Sequence, residues 1–410
     1  MRTVASGQAI QTTTGRTPRW LGIIGSGQLG MLLCDAARAL DIRTMVLSDD
    51  PAAPAIYSAD AVLVASMQDP RALASMLQQC DTITFEFEAV PDTTLERLSR
   101  AVARGSVSVH PAVATLQRLK DKGLQKTWLR ESQLPTLPFT LTDADTAADE
   151  LRAGAIQPPL VQKTRQGGYD GKGVQILLED ADLAKLWPVP GLIEPALIGC
   201  TEVAVVVACD TLGTTLAYPP VSMAFDDRLN AVSTVTYPAE VAPDIRAACT
   251  GIAERAVNAL AAAGVFAVEL FVTASGDIFI NEISPRVRNA GHLTLTAFEH
   301  DQFEQHVRAV MGLPLAPIKP LAPAAVMLNL LYDDSMAPAH TGEPYNMELE
   351  PQVMLHWYGK QEARDGRKMG HITALGDSPT AALALAHAGL ARIRSGELRP
   401  ARLREQANAR

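Results

Sequence analysis

The sequence predicts an α/β protein of several domains: a doubly wound parallel sheet at the N-terminal end, a small strand–turn–strand unit, and a larger α+β region. Three observations carry this. Between residues 20 and 109, short apolar runs alternate with helical patterns at the spacing of β-α-β units, which calls for a parallel sheet. From 202 to 281, several apolar runs follow in series, and Ser275-Gly276-Asp277 reads as a hairpin turn, which favours antiparallel pairing. A chain of 410 residues exceeds one compact core, so two or three domains are expected.

The first strand is Trp20 to Ile24, followed by Gly25-Ser-Gly-Gln-Leu-Gly30 and an apolar helix through Leu40. Arg43 to Ser48 is the second strand and ends in Asp49-Asp50. This is the G-x-G-x-x-G dinucleotide pattern, which reads either as a phosphate cradle at a helix N-terminus or as a tight strand-to-helix turn. Strands at 61–65, 82–85 and 107–109, with helices at 70–79 and 93–103, complete a domain spanning 19–114. Ligands of such sheets bind beyond the carboxyl ends of the strands. Glu86 and Glu88 follow a strand directly, so they either bind a ligand there or form a solvated edge.

A helix over 115–132, carrying Lys120, Asp121, Lys122 and Lys126, opens a small unit at 115–190. Its centre is Leu160-Val161, then Lys163, then a turn with four glycines in seven residues (Gly167, Gly168, Gly171, Gly173), then a strand over 174–178. Glycines let backbone N–H groups converge on phosphate, and Lys163 and Lys172 would supply charge. A solvated hairpin tip is the plainer reading. The third region, 191–375, begins at Leu192 to Glu194 and holds strands at 202–209, 214–218, 231–237, 266–273 and 278–281. Helices at 243–263 and 296–311 cover them. Residues 1–18 are expected to be a disordered extension. The tail 376–410 reads as a helix over 380–393 and an arginine-rich end, a solvated appendage.

Composition narrows the function classes. A net charge of −9 argues against a nucleic-acid binder. Five scattered cysteines without a C-x-x-C pair indicate neither zinc nor a disulfide framework, and suit a reducing cytoplasm. No membrane span or secretory signal is visible. His300, His306, His340, His356 and His387 read as ordinary surface or core residues.

Glu269 and Glu282 lie in runs otherwise fit for buried strands, on the two arms of one hairpin. Buried carboxylates need a partner. Facing each other they would hold divalent ions beside a nucleotide, since magnesium takes carboxylate plus phosphate oxygens. The alternative partners are Arg286 and Arg288.

Taken with these, Lys126, Lys163, the loop Gly167 to Gly173, Glu194 with Glu202, Glu269 and Asn281-Glu282 resemble an ATP-grasp ligase. More narrowly, the chain resembles the N5-carboxyaminoimidazole ribonucleotide synthase family from about residue 20 to 375. Gly25 to Gly30, Phe85-Glu-Phe-Glu88, Asn281-Glu-Ile-Ser-Pro-Arg286, Gly291-His292, Trp357-Tyr-Gly-Lys360 and Gly366-Arg-Lys-Met-Gly-His371 carry the likeness. It implies an ATP-grasp fold: a preATP-grasp N-terminal domain, a small lid subdomain and a C-terminal α+β domain. It also implies ATP, magnesium and bicarbonate acting on aminoimidazole ribonucleotide, in a cytoplasmic homodimer with no nucleic-acid or membrane partner.

By position, the resemblance places Lys126, Lys163, Gly168 and Gly171 at the ATP phosphates, with Asn281 beside them. Glu194 with the backbone of Ala196 and Leu197 would lie at adenine, Glu202 at the ribose, and Glu269 and Glu282 at magnesium. Tyr169, Asp170 and Lys172 would close over the reaction. Arg286, Arg288 and Lys360 would serve the carboxyl transfer. Gly27, Gln28, Leu29, Glu86, Arg367 and Lys368 would bind the ribonucleotide, the glycine turn cradling its phosphate. Departures cluster on the acceptor side: Arg288 where the family's histidine is usual, Met223 and Phe225 in place of Asn-x-His, and Leu293 in place of an aromatic. They leave open a paralogous ligase for another phosphorylated amine or carboxylic acid, or a nucleotide binder without turnover. A nicotinamide oxidoreductase, resting on Gly25 to Gly30 alone, leaves Glu269 and Glu282 unexplained.

Overall fold

The computed structural model describes residues 19–143, 157–168, 173–226, 228–229, 231–333, 342–362 and 364–395. Strands β1 (Trp20–Ile24), β2 (Arg43–Ser48), β3 (Ala61–Val64), β4 (Thr82–Phe85) and β5 (Ser108–Val109) form a parallel sheet in the order β3-β2-β1-β4-β5. Its central strands are almost wholly buried because α1 (Gln28–Ala39), α2 (Pro70–Gln79) and α3 (Asp92–Ala103) leave neither face open to water. Strand order reverses between β1 and β4, so the turn at Gly25 and the residues after Phe85 open onto one crevice.

The single helix expected over 115–132 is two helices, α4 (Val113–Lys120) and α5 (Lys122–Glu131). Asp121 separates them with extended backbone (φ −104°, ψ 109°) and accepts a 3.0 Å hydrogen bond from Leu124 N–H. An aspartate offered a cap in place of a helical turn favours the cap.

Strands β6 (Thr140–Thr142), β7 (Leu160–Thr164), β8 (Val174–Leu177) and β9 (Gly191–Pro195) form an antiparallel sheet in the order β6-β9-β7-β8. The strand at 191–195 therefore belongs to the same small sheet as β7 and β8, and a boundary at 190/191 would cut that sheet. The larger sheet contains β10 (Thr201–Cys209), β11 (Thr215–Ala217), β12 (Val221–Asp226), β13 (Ala231–Tyr237), β14 (Gly264–Val272), β15 (Ile278–Ser284), β16 (Ala324–Leu331), β17 (Tyr345–Glu350), β18 (Val353–Trp357) and β19 (Lys368–Gly376). Its order is β15-β14-β10-β12-β13-β16-β19-β18-β17, with β11 alongside β10. Strands β16 to β19 extend the same sheet, a continuation absent from the sequence reading.

Alternation along β10 sorts the two cores. Val203, Val205 and Val207 pack under α6 (Pro243–Leu260) with Cys249, Ala253 and Val257. Ala204, Val206 and Ala208 pack on the other side with Phe303 and Val307 of α8 (Gln302–Val310), which follows the one-turn α7 (Thr294–Ala297). Met31 and Leu33 of α1 join that second core, so the N-terminal domain is fused to the large sheet. Helix α9 (Pro379–Arg394) is not a solvated appendage: Ala382 and Ala386 are fully buried against Val326 and Ile372. The arginine-rich end lies outside the described residues. No described helix is long and apolar enough to cross a membrane.

His306 ties the domains together. Its Nδ1 accepts from Val265 N–H at 3.1 Å, which leaves the proton on Nε2, 2.7 Å from Thr84 Oγ1. Burial drives its pKa down to about 3, and that of His356 to about 4. Both are neutral when folded and take a proton near pH 6.5 when unfolded, so the unfolded chain binds more protons between those limits. Stability is complete above about pH 6.5 and falls as pH drops, by about 1.4 kcal/mol per pH unit for each group. A urea midpoint that declines from pH 7.5 to 5, less steeply in His306→Asn, is expected; a flat profile in the wild type would contradict it.

Candidate active site

The site is built on one face of β10, β14 and β15. Ala204 pairs with Glu269, so Glu202, two residues away, shares its face, and Glu269 pairs in turn with Glu282. A β-bulge makes this possible. Glu269 opposes Glu282 while Leu270 opposes Ile280, so Asn281 is the extra residue on β15. A regular strand would send Asn281 and Glu282 to opposite faces; the bulge re-aims one of them. Asn281 Oδ1 accepts from Lys163 Nζ at 2.7 Å.

The carboxylates are met by side-chain cations. Arg288 Nη2 lies 2.9 Å from Glu269 Oε1 and 2.8 Å from Glu282 Oε1, and Lys122 Nζ binds Glu282 Oε2. Burial raises the Glu269 carboxyl above its usual range despite Arg288. Burial also opposes ionisation of Glu282, but Lys122 and Arg288 outweigh it and hold that carboxyl far below the usual range. Of the two partners expected, the structure shows the arginine: the carboxylates face each other, and Arg288 bridges them. Glu202 is pushed up to about 7 by burial and by the Glu269 charge. Met223 lies directly across from Glu202 on β12 and is buried in the core with Ala204. Among the described residues no three His, Cys, Asp or Glu converge as a metal cluster. Two facing carboxylates with a guanidinium as stand-in cation fit magnesium, which keeps its other positions for phosphate and water.

Beside this floor, Lys126 from α5 and Lys163 from β7 converge on Glu194 of β9. Lys126 Nζ is 2.7 Å from Glu194 Oε2, and Lys163 binds Oε1. Lys126 Nζ also donates to Thr136 Oγ1 at 2.9 Å. Burial lowers Lys126 to about 8, against the pull of Glu194. Burial raises Glu194, but Lys163 and Lys126 outweigh it and hold it low. The Glu194 side chain is therefore turned to the two lysines. Ala196 and Leu197 follow it at the end of β9, where Ala196 N–H donates to Pro159 O at 2.9 Å.

The glycine turn is anchored at its base, where Thr164 N–H donates to Gly173 O at 2.9 Å. Gly173 has φ +76°, and a Cβ there would lie 2.5 Å from Thr164 Oγ1 and 3.1 Å from Gly168 Cα. Arg165 Nε is 2.9 Å from Asp121 Oδ1, and Lys122 N–H donates to Arg165 O at 2.9 Å, so the turn is tied to the start of α5. Tyr169, Asp170, Gly171 and Lys172 lie outside the described residues. Asp121 and Lys122, placed by the sequence on a continuous helix and given no role in the site, stand at the Asp-Lys-Gly start of α5, a signal visible only once the long helix is seen to break.

At the crevice between β1 and β4, the phosphate cradle expected from Gly25 to Gly30 is occupied. Glu86 Oε1 accepts from Gly27 N–H at 2.7 Å and Oε2 from Gly30 N–H at 2.6 Å. A carboxylate from the neighbouring strand thus satisfies two of the backbone donors at this helix start, those of Gly27 and Gly30. Gly25, at φ +110°, admits this: a Cβ would lie 2.3 Å from Glu86 Cγ. Burial raises the Glu86 carboxyl above its usual range, partly offset by those two N–H donors, Arg286 and Lys360. Gln28 and Leu29 lie half-buried in the first turn of α1 beside this carboxylate. Glu88 is 2.8 Å from Arg286 Nε.

Lys360 is buried, donates to Lys368 O at 2.6 Å and lies 5.5 Å from the Tyr358 ring centroid. Arg367 donates to Glu362 O at 2.6 Å. Behind them His371 stacks on His356 with ring centroids 4.5 Å apart, His292 lies tilted against His371 at 5.2 Å, and Tyr358 Oη lies 2.7 Å from His371 Nδ1. Burial first, then the charges of Lys368 and Lys360, hold His292 well below the usual imidazole range. Arg286, Lys360, Lys368 and Glu86 thus share one electrostatic neighbourhood beside the carboxylate floor.

Comparison with known proteins agrees with this layout. Residues 19–118 match the ribonucleotide synthetase preATP-grasp domain, 127–303 the ATP-grasp domain, and 325–385 the phosphoribosylaminoimidazole carboxylase C-terminal domain. An N5-carboxyaminoimidazole ribonucleotide synthase of Brucella melitensis is 36% identical over 363 residues, 87% of this chain and 96% of the relative. The crystal structure of an N5-carboxyaminoimidazole ribonucleotide synthetase with ADP superposes with a TM-score of 0.81 at 29% identity, covering 91% of this chain and 96% of the other. An Aspergillus clavatus synthase with ADP and 5-aminoimidazole ribonucleotide gives 0.78 at 26% identity over 91% and 96%.

Proposed function

The chain belongs to the N5-carboxyaminoimidazole ribonucleotide synthase family, ATP-dependent ligases of purine biosynthesis, and on that premise we propose how its residues divide the reaction. ATP phosphorylates bicarbonate to carboxyphosphate, with ADP leaving. The amine of aminoimidazole ribonucleotide then takes the carboxyl group and phosphate is released. Bicarbonate is a weak nucleophile approaching a polyanion, so positioning and charge neutralisation dominate. Lys126 and Lys163 bind the ATP phosphates, Glu202 the ribose, and the backbone after Glu194 the adenine. Glu269 and Glu282 would hold magnesium, which supplies charge neutralisation to the triphosphate. Arg286 and Lys360 gather the carboxylate intermediate, with Tyr169, Asp170 and Lys172 closing above it. Gln28, Leu29 and Glu86 take the ribose side of the acceptor, while Arg367 and Lys368 take its phosphate. Family membership also supports a cytoplasmic homodimer.

The observation that carries this reading is the bulged hairpin that sets Glu269 against Glu282 next to Lys163. Phosphate release from ATP is expected only when bicarbonate and aminoimidazole ribonucleotide are both supplied. Release that ignores bicarbonate, or that prefers a different amine or a carboxylic acid, would overturn it.

A further inference from the structure

Arg288 occupies an unusual place for a side chain assigned to the acceptor. Its Nη2 spans one oxygen of each facing carboxylate, at 2.9 Å and 2.8 Å, while Nη1 donates to Ser284 Oγ. Its main chain is pinned: N–H donates to Gln302 Oε1 at 3.0 Å, and the carbonyl accepts from Gln302 Nε2 at 2.7 Å. Gln302 is fully buried. The backbone is therefore anchored and the side chain is what can exchange. A divalent ion at about 2.1 Å from those oxygens needs the same lone pairs. Two cations at that spacing repel, so metal and guanidinium exclude each other. The remaining carboxylate whose charge acts on Arg288 is Glu88, held by Arg286.

We propose that Arg288 is a resident counter-cation that trades places with the metal. It holds Glu269 and Glu282 together while the nucleotide site is empty. Entry of metal and nucleotide releases it toward Glu88 and Arg286, where it adds a second guanidinium to the side that gathers bicarbonate and carboxyphosphate. The anion site is thus completed only after the nucleotide is loaded. This rests on the assignment of Glu269 and Glu282 to the metal. Metal affinity then carries the cost of displacing the arginine, and nucleotide and anion binding are coupled reciprocally.

The test is Mn²⁺ binding to the full chain, read as free Mn²⁺ by electron paramagnetic resonance, with and without ADP. Arg288→Gln is expected to bind Mn²⁺ about tenfold or more tightly than wild type without nucleotide, and to gain less from ADP. Arg286→Gln removes the same charge two residues away and is expected to change affinity less than about threefold. Arg288→Lys keeps the charge but cannot span both oxygens; it guards against misfolding of the glutamine variant and is expected to fall between. Unchanged or weaker binding in Arg288→Gln overturns the proposal, as does an equal gain in Arg286→Gln. Absence of Mn²⁺ binding in every protein, even with ADP, overturns the metal assignment as well. Intact exchange with no phosphate release on aminoimidazole ribonucleotide would instead sink only the choice of acceptor.

Discussion

Glu282→Gln is expected to reduce magnesium-dependent phosphate release by about 10³-fold or more, a loss of about 4 kcal/mol of transition-state stabilisation. The amide keeps the shape of the carboxylate and removes its charge. Of the two proposed metal ligands, Glu282 is the one that Lys122 and Arg288 hold ionised in the empty site, while burial pushes Glu269 the other way. Loss of that charge also leaves Lys122 without its partner, so folding must be followed by circular dichroism alongside initial rates at saturating ATP. Raising magnesium should not restore the rate, since the missing ligand is not replaced by mass action at a site with one carboxylate. Turnover within about tenfold of wild type in a folded variant would remove Glu282 from the metal site.

Glu194→Gln is expected to cost about 3 to 5 kcal/mol of stability in the absence of nucleotide. Lys126 and Glu194 are among the most buried charges in the protein, and both lysines depend on that one carboxylate. Removing one member of a buried cluster leaves the others uncompensated, which costs far more than the cluster contributes as a whole. Lys126, already lowered to about 8, should then shed its proton near neutral pH. ATP should recover part of the loss, because its phosphates would supply negative charge to the same lysines. Urea unfolding with and without ATP reads both effects; a loss below about 1 kcal/mol would show that the lysines do not depend on Glu194.

Most of the N-terminal domain is legible from pattern. Trp20–Ile24, Arg43–Ser48, Pro70–Gln79 and Thr82–Phe85 follow directly from apolar runs bounded by glycine, proline and aspartate, because local propensity and burial agree there. The break at Asp121 was hidden because good helix formers, Leu119 and Lys120 before it and Lys122 and Leu124 after it, flank it on both sides. Strands β16 to β19 went unread because they alternate less cleanly and gain their place only by extending a sheet begun far earlier in the chain. The placement of β9 was missed for a related reason: strand pairing across a long connection is a tertiary choice.

What the sequence determined by itself was composition of the site: two lysines, a glycine turn, and carboxylates on the arms of one hairpin. It could do so because spacing along a strand or turn is a local property. What only the tertiary structure decided was which charges neutralise which. Glu86 fills the helix N-terminus expected for phosphate, Glu194 joins Lys126 to Lys163, and Arg288 bridges Glu269 and Glu282. Those pairings join residues far apart in the chain, and burial, by stripping away water, makes each partner's identity decisive.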